Sequence, residues 1–306
     1  MKPLLSPESR RELQALVARP LAWEAPLAAR SSLKIGGPAE VLATVSDCEE
    51  ISRVLAFARD RNLPWRILGK GSNVLIADDG LAGITLVLGE SFRRLEKTGP
   101  LEIHAGAASS LPALSRFCQE QGLAGLEFAA GIPGSVGGAV PMNAGAFGGQ
   151  IADCLCAIDL CSADGPRTLS AGELRFAYRA WLDAEKWRHR AVIVAARFRL
   201  REDEPAAIAA RMERYRRERE ERQPHGVMSA GSFFKNPPGD SAGRLIDACG
   251  LKGLRVGKAM VSPMHANFLV NTGGASAADM RELARRVREA VYSRHGIRLE
   301  EEVESW

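Results

Sequence analysis

Apolar positions along the 306-residue chain switch repeatedly between a period of two and a period near 3.6, the pattern of strands alternating with helices. Ser6, with Pro7 at the first helical position, opens a short helix that should stop before Pro20. A second helix is expected behind a capping box of Ser46 and Glu49, with Ile51, Val54, Leu55 and Ala58 as its buried stripe. Around it lie the strand-like runs VLATV (41 to 45), WRIL (65 to 68), NVLI (73 to 76) and ITLVL (84 to 88), which make a small α/β unit.

From about residue 99 the pattern recurs in kind. LEIHAG (101 to 106) reads as a strand and LPALSRFCQEQG (111 to 122) as a helix ending at Gly122. A strand near Cys154 to Cys161, a turn at Ala163-Asp164-Gly165, a capping box at Ser170 and Glu173 and a buried strand AVIVAARFRL (191 to 200) complete the unit. The run from Arg199 to Arg222, with Ile208, Met212 and Tyr215 at helical spacing, predicts a solvated amphipathic helix at a boundary. Beyond it come a helix near Ser241 to Cys249, a strand NFLVN (267 to 271) and a long helix from about Ala277 to Arg294. Ser276 is the N-cap of that long helix, Asp279 stands at N3, and Gly296 follows its end. The chain thus divides into an N-terminal helix (1–18), two α/β subdomains (19–98 and 99–200), a third unit (201–296) and a C-terminal strand (297–306).

Two loops interrupt these elements with glycine: LGKGSN (68 to 73), and AGIPGSVGGAVPMNAGAFGG (130 to 149), which holds seven glycines and no Lys, Arg, Asp or Glu. A loop so composed grips mostly with backbone. Without a Cβ, successive N–H groups can converge on a phosphate or diphosphate, whereas an ordinary mobile loop carries more Ser, Asp, Lys and Glu. Neither loop shows G-x-x-x-x-G-K-[ST], nor G-x-G-x-x-G between a strand and a helix, so a P-loop or Rossmann site is disfavoured. Two such loops in separate subdomains could instead clasp an extended, diphosphate-containing ligand between them, and a dinucleotide such as FAD has the length.

Composition narrows the classes. Apolar residues are 46% of the chain, no run approaches the roughly 20 needed to cross a bilayer, and the start breaks into a charged helix, so the cytoplasm is the default address. The net charge is +4, and eight Arg against seven Asp or Glu in 199–222 nearly cancel, which leaves no one-signed patch for nucleic acid. The six cysteines form no CxxC pair and stand near no His at zinc spacing, so reduced core thiols are expected, with no metal site and no disulfide framework.

The segments SSLKIGGPAEV, ILGKGSNVLI, GLEFAAGIPGSVGGAVPMNAGAFGG, FAYR, SAGSFFKNP, GRLIDACGLKGLRVGKAMVSPMHANFLVN and LEEEV, in that order from about Ser31 to Val303, resemble the UDP-N-acetylenolpyruvoylglucosamine reductases (MurB). The resemblance implies an α+β fold: an FAD-binding domain of the vanillyl-alcohol-oxidase (PCMH) type made of two α/β subdomains, plus a C-terminal α+β substrate-binding domain. It implies non-covalent FAD, NADPH as co-substrate, a nucleotide-sugar substrate, no nucleic-acid, membrane or metal partner, and a monomer. The implied reaction reduces an enolpyruvyl ether to a lactyl ether, so negative charge builds as an enolate and calls for cations or acids at the carboxylate and a proton donor at carbon.

By the same resemblance, Ser232 matches the proton donor, Glu302 the carboxylate of the C-terminal motif, and Arg179 the arginine that holds the substrate carboxylate. Read alone, these residues are a loop hydroxyl, a solvated edge carboxylate and a salt-bridged surface arginine. Cofactor binding is expected from Gly69, Lys70, Gly71, Ser72 and Asn73 in one loop, and from Gly131, Ile132, Gly134, Ser135, Val136, Gly137, Gly138, Asn143 and Gly145 in the other. Tyr178, Lys235, Asn236, Lys258, His265 and Asn267 lie in segments matching the substrate site. The family continues Tyr-Arg-x-Ser where this chain has Tyr178-Arg179-Ala180-Trp181, and the short interval from Arg179 to Ser232 resembles the compact branch without an inserted tyrosine-bearing loop. A flavin oxidase acting on another alcohol and a non-catalytic nucleotide-sugar or flavin sensor are the competing readings; no His or Cys for covalent flavin attachment lies in either glycine loop.

Overall fold

A computed structural model describes residues 3–306; the first two residues of the expected N-terminal unit fall outside it. Three sheets organise the chain. The first runs Ala22–Pro26, Pro38–Val45, Leu81–Leu88, Trp65–Ile67 in spatial order, with an antiparallel first pair and parallel pairs thereafter. The parallel pairing requires a crossover, which the helix Cys48–Asp60 supplies. The second sheet is antiparallel, in the order Gly165–Ser170, Leu155–Ser162, Ala191–Arg199, Glu102–Gly106, Leu95–Gly99. The third is Met228–Ser232, Phe268–Asn271, Ala259–Val261, Arg255–Val256, covered by the helices Ala242–Ala248 and Ala277–His295. No described helix is long and apolar enough to cross a membrane.

The capping box expected of Ser46 and Glu49 does not form at the first crossover helix. Asp47 is the N-cap and accepts from the Glu50 N–H (2.8 Å). Glu50, not the exposed Glu49, reaches back, accepting from Ser46 N (2.7 Å) and Ala18 N (2.8 Å). The buried carboxylate thereby ties the stretch just after the N-terminal helix Pro7–Ala15 to the crossover helix, and Glu40, on the first sheet, accepts from the N–H groups of Leu4, Leu5 and Gly83.

The thiol expectation needs correction. Cys48 and Cys161 form a disulfide, with Cα atoms 5.8 Å apart, inside the range that a disulfide spans. The crossover helix of the first unit packs on the strand Leu155–Ser162 of the second, so a pair separated by 113 residues meets where no local spacing announces it. The other four cysteines are free, and burial pushes the Cys118 thiol up to about 12 and that of Cys154 still further in the same direction.

The C-terminal segment departs from its expected strand as well. Only Glu304–Ser305 pairs regularly, in parallel with Val74–Leu75, and Glu301 bridges to Phe234. The segment crosses from the third unit to the first: Leu299 and Val303 sink into the third core, and Trp306 exchanges backbone bonds with Leu75 and Ala77. That core also takes Leu33, Ile35 and Leu75 from the first unit. Asn271 Nδ2 donates to the Leu33 carbonyl (2.9 Å), and Asp78 accepts from Ala277 N (2.7 Å) and Ala278 N (3.1 Å) at the start of the long helix. The third unit is thus bolted to the first at both ends of its main elements.

Candidate active site

Where the three units meet lies a cavity of about 820 Å³, lined by both glycine loops, the segment 178–181, the strand carrying Ser232 and the C-terminal residues Glu302, Glu304 and Trp306. Its size is in the upper range of small-molecule sites. The two glycine loops converge here as their composition suggested. A Cβ on Gly69 would stand 2.6 Å from Ser135 Oγ, and one on Gly134 would touch Ser72 Oγ at 3.5 Å. Gly71, at φ +62°, could not carry a Cβ at all, because the Arg30 carbonyl lies 2.2 Å from where it would be.

The backbone of these loops fits a diphosphate. None of the N–H groups of Gly69, Lys70, Gly71, Ser72 and Asn73 donates to a described residue, nor do those of Gly134 and Ser135. Unpaired amides cost free energy if nothing bonds them, so a row of them on a cavity wall marks a place built for an acceptor-rich ligand. Lys70 lies in the same row and adds a cation.

Of the residues expected at the cofactor, Gly69, Lys70, Gly71, Ser72, Asn73, Ile132, Gly134, Ser135, Gly137, Gly138 and Gly145 line the cavity. Gly131, Val136 and Asn143 do not. Val136 is fully buried and donates its N–H to Ser109 O, and Gly131 packs against the side chain of Arg219. Asn143 is buried in a structural role: its Nδ2 donates to Gln150 Oε1 and Ala177 O (both 3.0 Å), and its Oδ1 accepts from Ala152 N. It ties the long glycine loop to the hairpin that carries Arg179.

That hairpin pairs Phe176 with Trp181 and Ala177 with Ala180, so Tyr178 and Arg179 are its two central residues. Arg179 has φ +55°, a position that favours glycine and costs an arginine on the order of 1 kcal/mol. The strain sets the guanidinium over the Tyr178 ring, 5.0 Å from its centre, with Nη2 donating to Gly145 O (2.7 Å). Its Nε lies 3.2 Å from Glu302 Oε1, near enough for an ion pair but misaligned for a hydrogen bond, so Nε keeps no hydrogen-bond partner. Trp181, where the family pattern has Ser, is buried, lines the cavity and donates its backbone N–H to Pro141 O.

Ser232 owes its direction to the glycine before it. The strand Met228–Ser232 loses register with Phe268–Asn271 between Ser229 and Ser232, and Gly231 there has φ +77°. A glycine-centred bulge re-aims the residue that follows, and Ser232 lines the cavity. Glu302 reaches the same wall from the other end of the chain. Its N–H donates to the carbonyl of Phe233 (2.9 Å), next to Ser232, and its own carbonyl accepts from Asn73 Nδ2 (2.9 Å) at the end of the first glycine loop. Burial raises the Glu302 carboxyl above the ordinary range, and the charges of Arg179 and Lys235 offset this only in part.

Among residues expected at the substrate, Tyr178 and Asn236 line the cavity. Lys235 is not among the lining residues and stands near Glu302 and beside Glu300 (3.5 Å). Lys258 sits on an exposed turn far along the third sheet, where Asp279 accepts from its N–H. His265 packs edge-on to Phe268, and burial lowers its pKa. Asn267 is a backbone clamp, accepting from Phe234 N (3.0 Å) and donating to Phe234 O (2.8 Å). Sequence reasoning missed Arg66, Trp306 and Arg219, which also line the cavity. The Arg66 guanidinium lies 5.4 Å from the centre of the Trp306 ring, across elements whose contact no local pattern reveals.

The geometry agrees with what the chain resembles. An FAD binding domain model matches residues 39–168, and a model of the UDP-N-acetylenolpyruvoylglucosamine reductase C-terminal domain matches residues 223–306. The reductase of Moorella thermoacetica is 44% identical over 297 residues, 96% of either chain, and that of Pelobacter propionicus is 43% identical over 278 residues, 91% of this chain and 92% of the relative. The crystal structure of the Thermus caldophilus reductase superposes with a TM-score of 0.80 at 40% identity, covering 94% of this chain and 98% of the other. With both glycine loops, the third unit and the C-terminal motif matched in order, the chain belongs to the UDP-N-acetylenolpyruvoylglucosamine reductase family and is a flavin-dependent oxidoreductase.

Proposed function

We propose that this protein reduces the enolpyruvyl group of UDP-N-acetylglucosamine enolpyruvate to the lactyl ether of UDP-N-acetylmuramate, in the cytoplasm, as a monomer. FAD, when bound, would take hydride from NADPH and supply it to the vinyl carbon. The residues of this chain do the rest. The unpaired amides of residues 69–73 and 134–135 would hold the cofactor diphosphate. Arg179, pinned by Gly145 O and braced on Tyr178, would orient the substrate carboxylate with its planar fork. Glu302, with its raised pKa, would keep a proton near that carboxylate as enolate charge builds, and Ser232 would deliver a proton to the carbon beside it. The unit boundaries read from the sequence would serve as cofactor-binding halves (19–98, 99–200) and substrate-binding part (201–296).

One observation carries this reading: Arg179, Ser232 and Glu302, from three separate stretches of sequence, line one cavity with both glycine loops. The test separates the half-reactions. In anaerobic stopped flow, Ser232→Ala should leave flavin bleaching by NADPH within about twofold while slowing reoxidation by the enolpyruvyl nucleotide by about 10²- to 10⁴-fold, the usual worth of a positioned proton donor. Equal loss in both half-reactions would overturn the role of Ser232. Failure of the enolpyruvyl nucleotide to reoxidise the wild-type flavin would overturn the function.

A further inference from the structure

The charged helix Pro205–Arg222 was expected to be a solvated face, and three of its six arginines are held in ion pairs. Arg216 bonds to Glu213 and Glu220, Arg217 to Glu213, and Arg211 reaches inward to Glu127 (2.8 Å) and Asp203. Arg219 differs from all of these. It lines the cavity, and among the described residues no carboxylate or carbonyl accepts from its side chain. Its Nε is fully enclosed and without a hydrogen-bond partner, and burial alone, with no acid nearby, pushes its pKa below the usual arginine value.

The surroundings hold that guanidinium in place. It packs against Gly131, where a Cβ would meet Nε at 3.0 Å, so the glycine makes room for it. On the other side it stands 6.0 Å from the centre of the Phe147 ring, which is itself stacked on Tyr215 of the same helix (4.5 Å, planes 6° apart). Gly145, two residues before Phe147, accepts from Arg179. The tip of the long glycine loop therefore separates two cavity-facing arginines. Arg179 has an acid beside it; Arg219 has none.

Arg219 is half-buried with its Nε shut off from solvent and from any acceptor; a partly desolvated cation without an anion favours a ligand that completes it, and a guanidinium fork fits phosphate oxygens in pairs. Resting on the nucleotide-sugar reading above, we propose that Arg219 holds the diphosphate of the substrate, with the Phe147–Tyr215 stack fixing its position. The cofactor diphosphate already has the free amides of both glycine loops; of the other cavity-lining arginines, Arg179 stands beside Glu302 and Arg66 lies over Trp306 with Glu304 near, whereas Arg219 has no acid beside it. The helix 205–222 thereby does for this compact chain what an additional covering loop would otherwise do.

The test uses the flavin-loaded full-length protein and UDP as probe, followed by isothermal titration. Arg219→Met should weaken UDP binding about tenfold to a hundredfold, the range expected for losing a charged hydrogen-bonding partner. Arg219→Lys should fall between. FAD affinity, followed by flavin fluorescence, should change by less than about twofold in both variants, and Arg217→Met, on the exposed face of the same helix, should match wild type throughout. Retained flavin content in Arg219→Met separates a binding defect from misfolding; should that variant fail to load flavin, Arg219→Lys decides by the same comparison. Unchanged UDP affinity overturns the assignment, as does a loss confined to FAD, which would place Arg219 on the cofactor. A wild-type protein that ignores UDP while binding FAD would overturn the nucleotide-sugar reading and this assignment with it.

Discussion

Individual side chains at this site are held in states that would be unfavourable elsewhere. Arg179 sits in left-handed backbone, and Glu302 is buried with a pKa above its ordinary value. Arg179→Gly should relieve the backbone strain, so its Tm should hold or rise while kcat/KM falls by about a hundredfold or more; a parallel fall in Tm would mean that the ion pair to Glu302 outweighs the strain. For Glu302 the sign is set by the raised folded-state pKa. Its contribution is fully present below the unfolded value near 4.3 and is lost as pH rises through the folded value. Glu302→Gln should therefore gain Tm relative to wild type as pH goes from 4 to 8, and a difference that stays flat over that interval would contradict the raised pKa. Neither state was legible in sequence, where Glu302 alone reads as a solvated edge carboxylate. Burial comes from the units that fold around it, and only the resemblance of LEEEV to a motif pointed there.

At the scale of elements, the sequence was most legible where local rules decide. The long helix Ala277–His295 has its Ser276 cap, its Asp279 partner and a left-handed Gly296 as read, and the two glycine loops meet as their composition implied. It was least legible where a polar face is not a solvent face. The helix Pro205–Arg222 offered Ile208, Met212 and Tyr215 as its stripe, yet only Ile208 is fully buried, and Arg211 and Arg219 turn inward instead. Charge counting treats the six arginines of this helix alike, whereas Arg216 and Arg217 find their acids within it and Arg211 finds Glu127 and Asp203 outside it. The loop glycines give a sharp test of the backbone cradle. Gly71→Ala should cost more than about 2 kcal/mol, because it combines an unfavourable φ with a clash against the Arg30 carbonyl. Gly231→Ala meets no atom within 4 Å and should cost only about 1 kcal/mol of strain. Thermal unfolding of the two variants side by side checks the difference.

For the molecule as a whole, three sheets were foreseeable and their joints were not. The disulfide between Cys48 and Cys161 staples the first unit to the second across 113 residues, and closing so long a loop is worth about 5 kcal/mol in the chain-entropy account. Oxidised protein should show four free thiols on denaturation, and dithiothreitol should lower the Tm of wild type but not of Cys48→Ser. Six free thiols in freshly isolated protein would mean that the pair stays reduced. The sequence could not report this contact, because it depends on a helix of one unit packing on a strand of another.

The cavity wall draws on residues from Arg30 to Trp306, with no single segment supplying most of it. Holding the yellow chromophore therefore requires every unit to be seated at once, and the ratio of visible to ultraviolet absorbance becomes a gauge of whole-chain integrity. A substitution far from the cavity that loosens any joint, whether at Glu40, Asp78 or Asn271, should bleach a preparation before it precipitates.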